Sequence, residues 1–243
     1  MNFVLVGHGR MGRSIERLAV ERGHRMIRAF DASSIDQLSR SSLADAEVAF
    51  EFTKPDAAEQ NVHTLLELGV AVVCGTTGWE AGRDLEHAAK DAGLIVAPNF
   101  SVGMNLFYRL VREAGRLYGR AGLHQPYVLE SHHRGKRDVP SGTARRLASI
   151  LIEADGRLNE MVEGNPARPL EPGALQVASV RAGTDPGTHT VGFDGEHDRI
   201  VLQHAARSPT GFALGAVIAA EWLRGRSGMH GFEEVLDAGL DRE

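Results

Sequence analysis

The chain has 243 residues, 42% of them hydrophobic and 24% charged, with a formal net charge of −5. That size supports one large domain or two smaller ones with their own cores, and that composition is globular rather than disordered. The acidic balance argues against a general nucleic-acid binder, which needs a basic face to displace counterions. No apolar run approaches the roughly 20 residues that span a bilayer. The opening MNFVLVGHGR has neither the charged lead nor the small-residue cleavage site of a secretory signal. A single cysteine, Cys74, excludes a disulfide framework and fits a reducing, cytoplasmic compartment.

Residues 2–6 (NFVLV) form an apolar, partly β-branched run ending at glycine, which predicts a buried strand. Met11, Ile15, Leu18 and Ala19 then recur at helical spacing as far as Gly23. The pattern repeats with strands at 25–30, 47–52, 70–74 and 94–97 and helices at 55–68 and 80–92; Pro55 suits a first helical turn, where a missing N–H costs nothing. Such alternation predicts βαβ units and a parallel sheet covered on both faces.

After Asn99 the pattern changes. An amphipathic helix over 104–119 leads into a strand at 127–133, a helix over 141–154 and a Gly/Pro-rich loop at 156–173. Period-2 segments at 175–181, 188–193 and 198–204 predict a second, mixed or antiparallel sheet. The apolar helix at 212–223 resembles the first layer. The expected division is therefore a dinucleotide-binding domain over 1–103, completed by the C-terminal helices of 212–243, and a smaller α+β substrate domain with an open sheet over 104–211.

Gly7-His8-Gly9-Arg10-Met11-Gly12 fits G-x-G-x-x-G between a strand and a helix. The glycines suit a tight turn, close approach to a pyrophosphate and close helix–strand packing, and the helix N-terminus offers free N–H groups to phosphates. Asp31 ends the second strand, where an acid binds ribose hydroxyls. With no arginine in Ala32-Ser33-Ser34, NADH is the expected preference, although Arg10 or Lys54 could reach the extra phosphate of NADPH. Gly75-Thr76-Thr77-Gly78 and Pro98-Asn99-Phe100-Ser101 close two further strands at the carboxyl edge, where open parallel sheets hold ligands and where threonine hydroxyls can bond cofactor groups. Cys74, inside an apolar strand, reads as a packed, inert thiol.

The densest chemistry is the run Glu130-Ser131-His132-His133-Arg134-Gly135-Lys136-Arg137-Asp138-Val139-Pro140-Ser141-Gly142-Thr143. Adjacent histidines at a strand end face opposite sides, so they do not grip one metal, and no carboxylate or cysteine stands at ligand spacing to complete a site; no metal is expected. One histidine facing a substrate as acid or anion partner, with its neighbour structural, is the better use. Only three of the 27 basic residues are lysines (Lys54, Lys90, Lys136), so Lys136 points to proton chemistry that arginine cannot perform. Ser141 can cap the next helix and leave the N–H groups of Gly142 and Thr143 to an anion. These cationic and anion-ready groups predict a small substrate with more than one carboxylate.

The run ESHHRGKRDVPSGTA, preceded in order by VGHGRMG, FTKP, CGTTGW and APNFSVGMN, resembles the dihydrodipicolinate reductase (4-hydroxy-tetrahydrodipicolinate reductase) family of lysine and diaminopimelate biosynthesis. The resemblance spans Val6 to about Ala220. It implies a Rossmann domain with a substrate domain whose open sheet builds a homotetramer. It also implies hydride reduction of a cyclic imine dicarboxylate, with His132 as proton donor or acceptor and Lys136 as second proton donor. His133, Gly142 and Thr143 would bind the substrate carboxylate. Gly7 to Gly12, Asp31, Gly75 to Thr77 and Ala97 to Phe100 would hold the cofactor. Three departures stand out: a short stretch after the second strand without the arginine some members carry beside the acid, Gly135 where a third histidine is common, and Arg207 placed too early to take the role of the arginine that precedes a Phe-Ala pair. Two rival readings are a related dehydrogenase of acyclic amino or keto acids and a non-catalytic NAD sensor.

Overall fold

Four short apolar runs become parallel strands because each is buried on both faces, so none needs a polar edge. In the computed structural model, which describes residues 1–240, these are β1 (Asn2–Val6), β3 (Val48–Glu51), β4 (Ala71–Cys74) and β5 (Gly93–Val96). β2 (Arg25–Phe30) pairs outside β1 and is half-exposed, as its arginines require. The connecting helices are α1 (Arg10–Glu21), α2 (Arg40–Leu43), α3 (Pro55–Glu67) and α4 (Arg83–Ala88). Ser39 caps α2, a single turn too short to show a period. The helix expected over 80–92 is only α4, because Gly78 (φ +85) and an extended Gly82 hold the chain out of helix before Arg83.

The chain divides into two compact units, Met1–Val102 with the segment from Pro209 onward, and Gly103–Ser208. The second unit carries most of α5 (Val102–Ala121), then β6 (His124–His132), α6 (Gly142–Ala154), β7 (Glu160–Glu163), β8 (Ala174–Arg181), β9 (Thr188–Gly195) and β10 (Arg199–Ala205). Its five strands lie in the order β10-β9-β6-β8-β7. β9 runs antiparallel to β6 and β10, whereas β8 runs parallel to β6 and β7, so the sheet is mixed. β7 falls inside the stretch read as loop: four residues at the sheet edge with acids at both ends carry no apolar alternation. One face of this sheet packs on α5 and α6 through Phe107, Val111, Leu147, Leu151, Val128 and Phe193. The opposite face leaves Leu129, Val180 and Val201 exposed.

From Pro209 the chain returns to the first unit as α7 (Thr210–Leu223), β11 (Gly228–His230) and α8 (Phe232–Leu240). β11, too short to read in sequence, adds in parallel to β5 and completes the order β11-β5-β4-β3-β1-β2. α7 buries four alanines and Gly215, and a Cβ at Gly215 would collide with the Phe100 carbonyl, so the small residues let the helix lie flat on the sheet. Of the C-terminal segment read as completing this domain, residues 241–243 lie outside the described residues. No helix among the described residues is long and apolar enough to cross a membrane.

Candidate active site

In the first unit, the three glycines of 7–12 have separate duties. Gly7 takes φ +100, donates to the Phe30 carbonyl at 2.8 Å, and has the Phe52 backbone where a Cβ would stand. A Cβ on Gly12 would collide with the Gly7 carbonyl, so this residue sets the helix–strand contact. Gly9, the residue before α1, has open space on its Cβ side, and no side chain caps the first-turn amides. A helix start with bare amides and an uncovered glycine fits a pyrophosphate. His8 is turned instead toward Glu16, 2.6 Å away, and Arg10 is exposed.

Beyond this turn, a cleft of about 410 Å³ opens at the carboxyl ends of β3, β4 and β5. Met11, Gly75, Thr76, Thr77, Pro98, Asn99 and Phe100 line it, all of them residues singled out from sequence, together with Phe52, Thr53, Lys54, Pro55 and Phe212. Ala97 is buried behind it. The Phe52 ring occupies the place a Cβ on Gly75 would take, so this glycine lets an aromatic wall close against the strand end. The Thr76 hydroxyl is buried, donates to Glu51 at 2.6 Å and accepts from the Thr53 amide at 2.8 Å, so its hydrogen is committed to Glu51 and one lone pair remains. Thr77 is exposed.

Asp31 stands exposed after β2. Its Oδ1 accepts from the Ser33 amide (2.9 Å), the Ser33 hydroxyl (2.6 Å) and the Ser34 hydroxyl (3.0 Å). These bonds, led by the Ser33 hydroxyl, hold the carboxyl below its usual range and leave Oδ2 for another donor. Cys74 is buried beside Glu51, and burial pushes its thiol far above the usual range, so it is inert.

In the second unit the register builds the site. Glu130 lies opposite His189 of β9, and His132 opposite Arg181 of β8, so all four side chains share one sheet face. Glu130, fully buried, accepts from His132 Nδ1 through one oxygen and from Arg181 at 2.7 Å through the other; the Ser141 amide adds a bond of 3.3 Å. Burial opposes ionisation of Glu130, but these bonds, led by Arg181, outweigh it and hold the carboxyl below its usual range. His132 is pushed down by burial while Glu130 pulls the other way, and Lys136 and Arg181 add to the lowering. The His189 ring stands edge-on to His132 at 5.1 Å, and its Nε2 lies 3.2 Å from the Ser141 hydroxyl. Burial, with the charge of His132, pushes His189 down to about 4.

His133, as its alternation with His132 requires, is exposed. Its amide bonds the Asp185 carbonyl at 2.7 Å and its own carbonyl receives the Lys136 amide at 3.1 Å, which shapes the turn that follows β6. Lys136 reaches Asp138 at 2.9 Å. Ser141 caps α6 by accepting from the Ala144 amide at 3.2 Å, and neither Gly142 nor Thr143 is buried. A Cβ on Gly187 would come within 2.9 Å of His132 Nε2; its absence leaves that nitrogen uncovered.

Sequence reasoning gave Glu130, Arg181 and His189 no role. Glu130 was legible, because a residue two before His132 on a strand must share its face; Arg181 and His189 arrive by strand pairing, which nothing local announces. The expectation that no carboxylate stands at ligand spacing is also corrected. Donor atoms of Glu130, His132 and His189 lie within 4.8 Å of one another, as do those of the more exposed Glu59, His63 and Asp84. Arg181 on Glu130 and Lys136 beyond His132 make the first group a setting for an anion rather than a cation.

Comparison with known proteins finds one family over most of the chain. The family model of the dihydrodipicolinate reductase N-terminus matches residues 1–100, and that of the C-terminus matches residues 103–236. The 4-hydroxy-tetrahydrodipicolinate reductase of Christiangramia forsetii is 36% identical over 97% of this chain and 98% of its own. That of Archaeoglobus fulgidus is 38% identical over 88% and 90%. Among solved structures, the dipicolinate-bound dihydrodipicolinate reductase of Paenisporosarcina sp. TG-14 superposes with a TM-score of 0.78 over 95% of this chain and 97% of its own; at 21% identity this is a likeness of fold. An amine dehydrogenase of Mycobacterium smegmatis (TM-score 0.59, 12% identical, covering 98% and 95%) has a related fold.

Proposed function

The chain belongs to the dihydrodipicolinate reductase family, and we propose that the groups described above carry out the NAD(P)H-dependent reduction of 4-hydroxy-tetrahydrodipicolinate to tetrahydrodipicolinate. The overall change adds one hydride and one proton and releases the 4-hydroxyl as water. The observation that carries the residue assignment is the buried Glu130–His132 pair, followed within a dozen residues by Lys136 and the open amides of α6.

The bound nicotinamide supplies the hydride. The α1 amides and Gly9 bind the pyrophosphate, and Asp31 Oδ2 accepts from the ribose hydroxyls. That carboxylate repels a 2′-phosphate, so NADH is preferred over NADPH. In the second unit, Glu130 accepts the Nδ1 hydrogen of His132, which assigns the proton-exchanging role to the uncovered Nε2. Lys136, an ammonium paired with Asp138, supplies a second proton, balanced by the ring C–H proton given up as the 4-hydroxyl leaves, so the net uptake stays at one. The amides of Gly142 and Thr143 with His133 hold the substrate carboxylates. The exposed face of the second sheet, with Leu129, Val180 and Val201, is where copies of the chain associate as a homotetramer. The chain works in the cytoplasm.

The test is nicotinamide oxidation with 4-hydroxy-tetrahydrodipicolinate generated in situ by a coupling synthase, run with NADH and NADPH in parallel. Turnover of both, faster with NADH, is expected. Cofactor binding without turnover would overturn the assignment and favour a reductase of an acyclic substrate or a sensor.

A further inference from the structure

Beneath the cleft of the first unit lies a carboxylate with no cation. Glu51, at the end of the central strand β3, is fully buried. One of its oxygens accepts from the Thr53 hydroxyl and from Asn61 Nδ2 at 3.1 Å; the other accepts from the Thr76 hydroxyl at 2.6 Å and from Cys74 Sγ at 3.2 Å. Each of these four groups can donate to the carboxyl oxygens, and the Asn61 amide nitrogen can only donate, so the pocket is built around an acceptor. No Lys, Arg or His pairs with it among the described residues. Lys54, the one charged residue lining the cleft, is exposed and is not among its partners. A buried, ionised group held by neutral dipoles keeps its field, whereas a salt-bridged one has most of it cancelled.

Two of the four donors, Thr53 and Thr76, are themselves cleft-lining residues. The field of Glu51 therefore reaches the cleft through one layer of hydroxyl groups. Hydride transfer removes a proton's worth of hydrogen and two electrons from the reduced nicotinamide and leaves one positive charge on its ring, the hydride passing to the substrate. A fixed negative charge behind this cleft would favour the oxidised form of a nicotinamide held there over the reduced one, and would favour the transition state in which the positive charge develops. We propose that Glu51 is an electrostatic positioning residue: it locks the Phe52–Pro55 and Gly75–Thr77 loops together and biases the bound nicotinamide toward its positively charged product.

The inference rests on reading this cleft as the nicotinamide site, and the experiment separates the two. Dissociation constants of NADH and NAD⁺ are measured by calorimetry on the full chain, with wild type, Glu51→Gln and Glu51→Asp side by side. A purely structural role would weaken both nucleotides equally. The electrostatic role predicts that Glu51→Gln weakens NAD⁺ more than NADH, changing their ratio by about tenfold, the size expected of one partly screened charge a few ångströms away. Glu51→Asp, which keeps the charge, should retain the wild-type ratio even where both affinities fall. If Glu51→Gln does not fold, Glu51→Met makes the same change of charge with an apolar side chain of similar length. An unchanged ratio in the neutral variants overturns the proposal while leaving the cofactor site intact. Failure of wild type to bind either nucleotide overturns the reading beneath it.

Discussion

Glu130 takes hold of His132 from only two residues away along the same strand, its carboxylate on the imidazole Nδ1 and its other oxygen on Arg181 at 2.7 Å. The alternation of a β-strand makes this contact possible, since residues i and i+2 share a face. The arrangement fixes the imidazole tautomer and opposes, without overcoming, the loss of proton affinity that burial imposes.

Glu130→Gln should therefore let the His132 proton affinity fall further. The limb of the kcat–pH profile that reports His132 is expected to move to lower pH by about one unit or more, the usual effect of removing an opposite charge in contact. Activity at neutral pH should drop with it. A limb that stays in place in Glu130→Gln would show that another group governs that step.

His132→Ala and Lys136→Ala should each lower kcat by about 10²–10⁴-fold, the range for positioned acid–base groups. NADH affinity should remain close to wild type, because both residues belong to the second unit and the nucleotide elements to the first. Single-turnover kinetics with NADH binding measured separately would check both halves. Undiminished turnover in both variants would remove these residues from the chemistry.

Legibility from sequence followed the range of the interactions. The parallel sheet was readable because apolar strand runs and amphipathic helices are local patterns, and the glycine turn because its spacing between a strand and a helix is local too, although the Phe52 backbone that crowds Gly7 is not. The exposed histidine and the cap at Ser141 follow from strand alternation and helix-start chemistry in the same way. What escaped depends on pairing across the chain: β7 and β11 exist because a neighbouring strand offers them an edge, and Arg181 and His189 reach Glu130 only through register. The commitment of the Thr76 hydroxyl escaped for a related reason, since its partner Glu51 lies 25 residues earlier, on the neighbouring strand.

Asp31→Ala should narrow the preference for NADH over NADPH. In wild type, Ser33 and Ser34 occupy Oδ1 and keep the carboxylate charged, which turns Oδ2 into an acceptor for hydroxyls and a repellent for phosphate. Removing it costs the ribose bond in NADH and relieves the repulsion in NADPH, so the two kcat/KM values should converge from both sides. An unaltered ratio would make Asp31 only the anchor of its own turn.

His189 makes stability depend on acid. In the folded chain its imidazole is held neutral down to about 4, against an ordinary value of 6.5. The unfolded chain therefore takes up a proton at this residue before the folded chain does. The stability it contributes is complete above about pH 6.5 and is lost as pH falls from there toward 4. A shift of this size corresponds to about 3 kcal/mol at the acid end of that window. His132 and His204 are shifted in the same direction, so wild type alone cannot single out one histidine. The comparison with His189→Gln can, because glutamine keeps a polar group near the Ser141 hydroxyl and does not titrate. Urea unfolding at a series of pH values between 7 and 4 should show a steeper loss of stability in wild type than in the variant. Parallel curves would mean that His189 takes up its proton as readily in the folded chain as in the unfolded one.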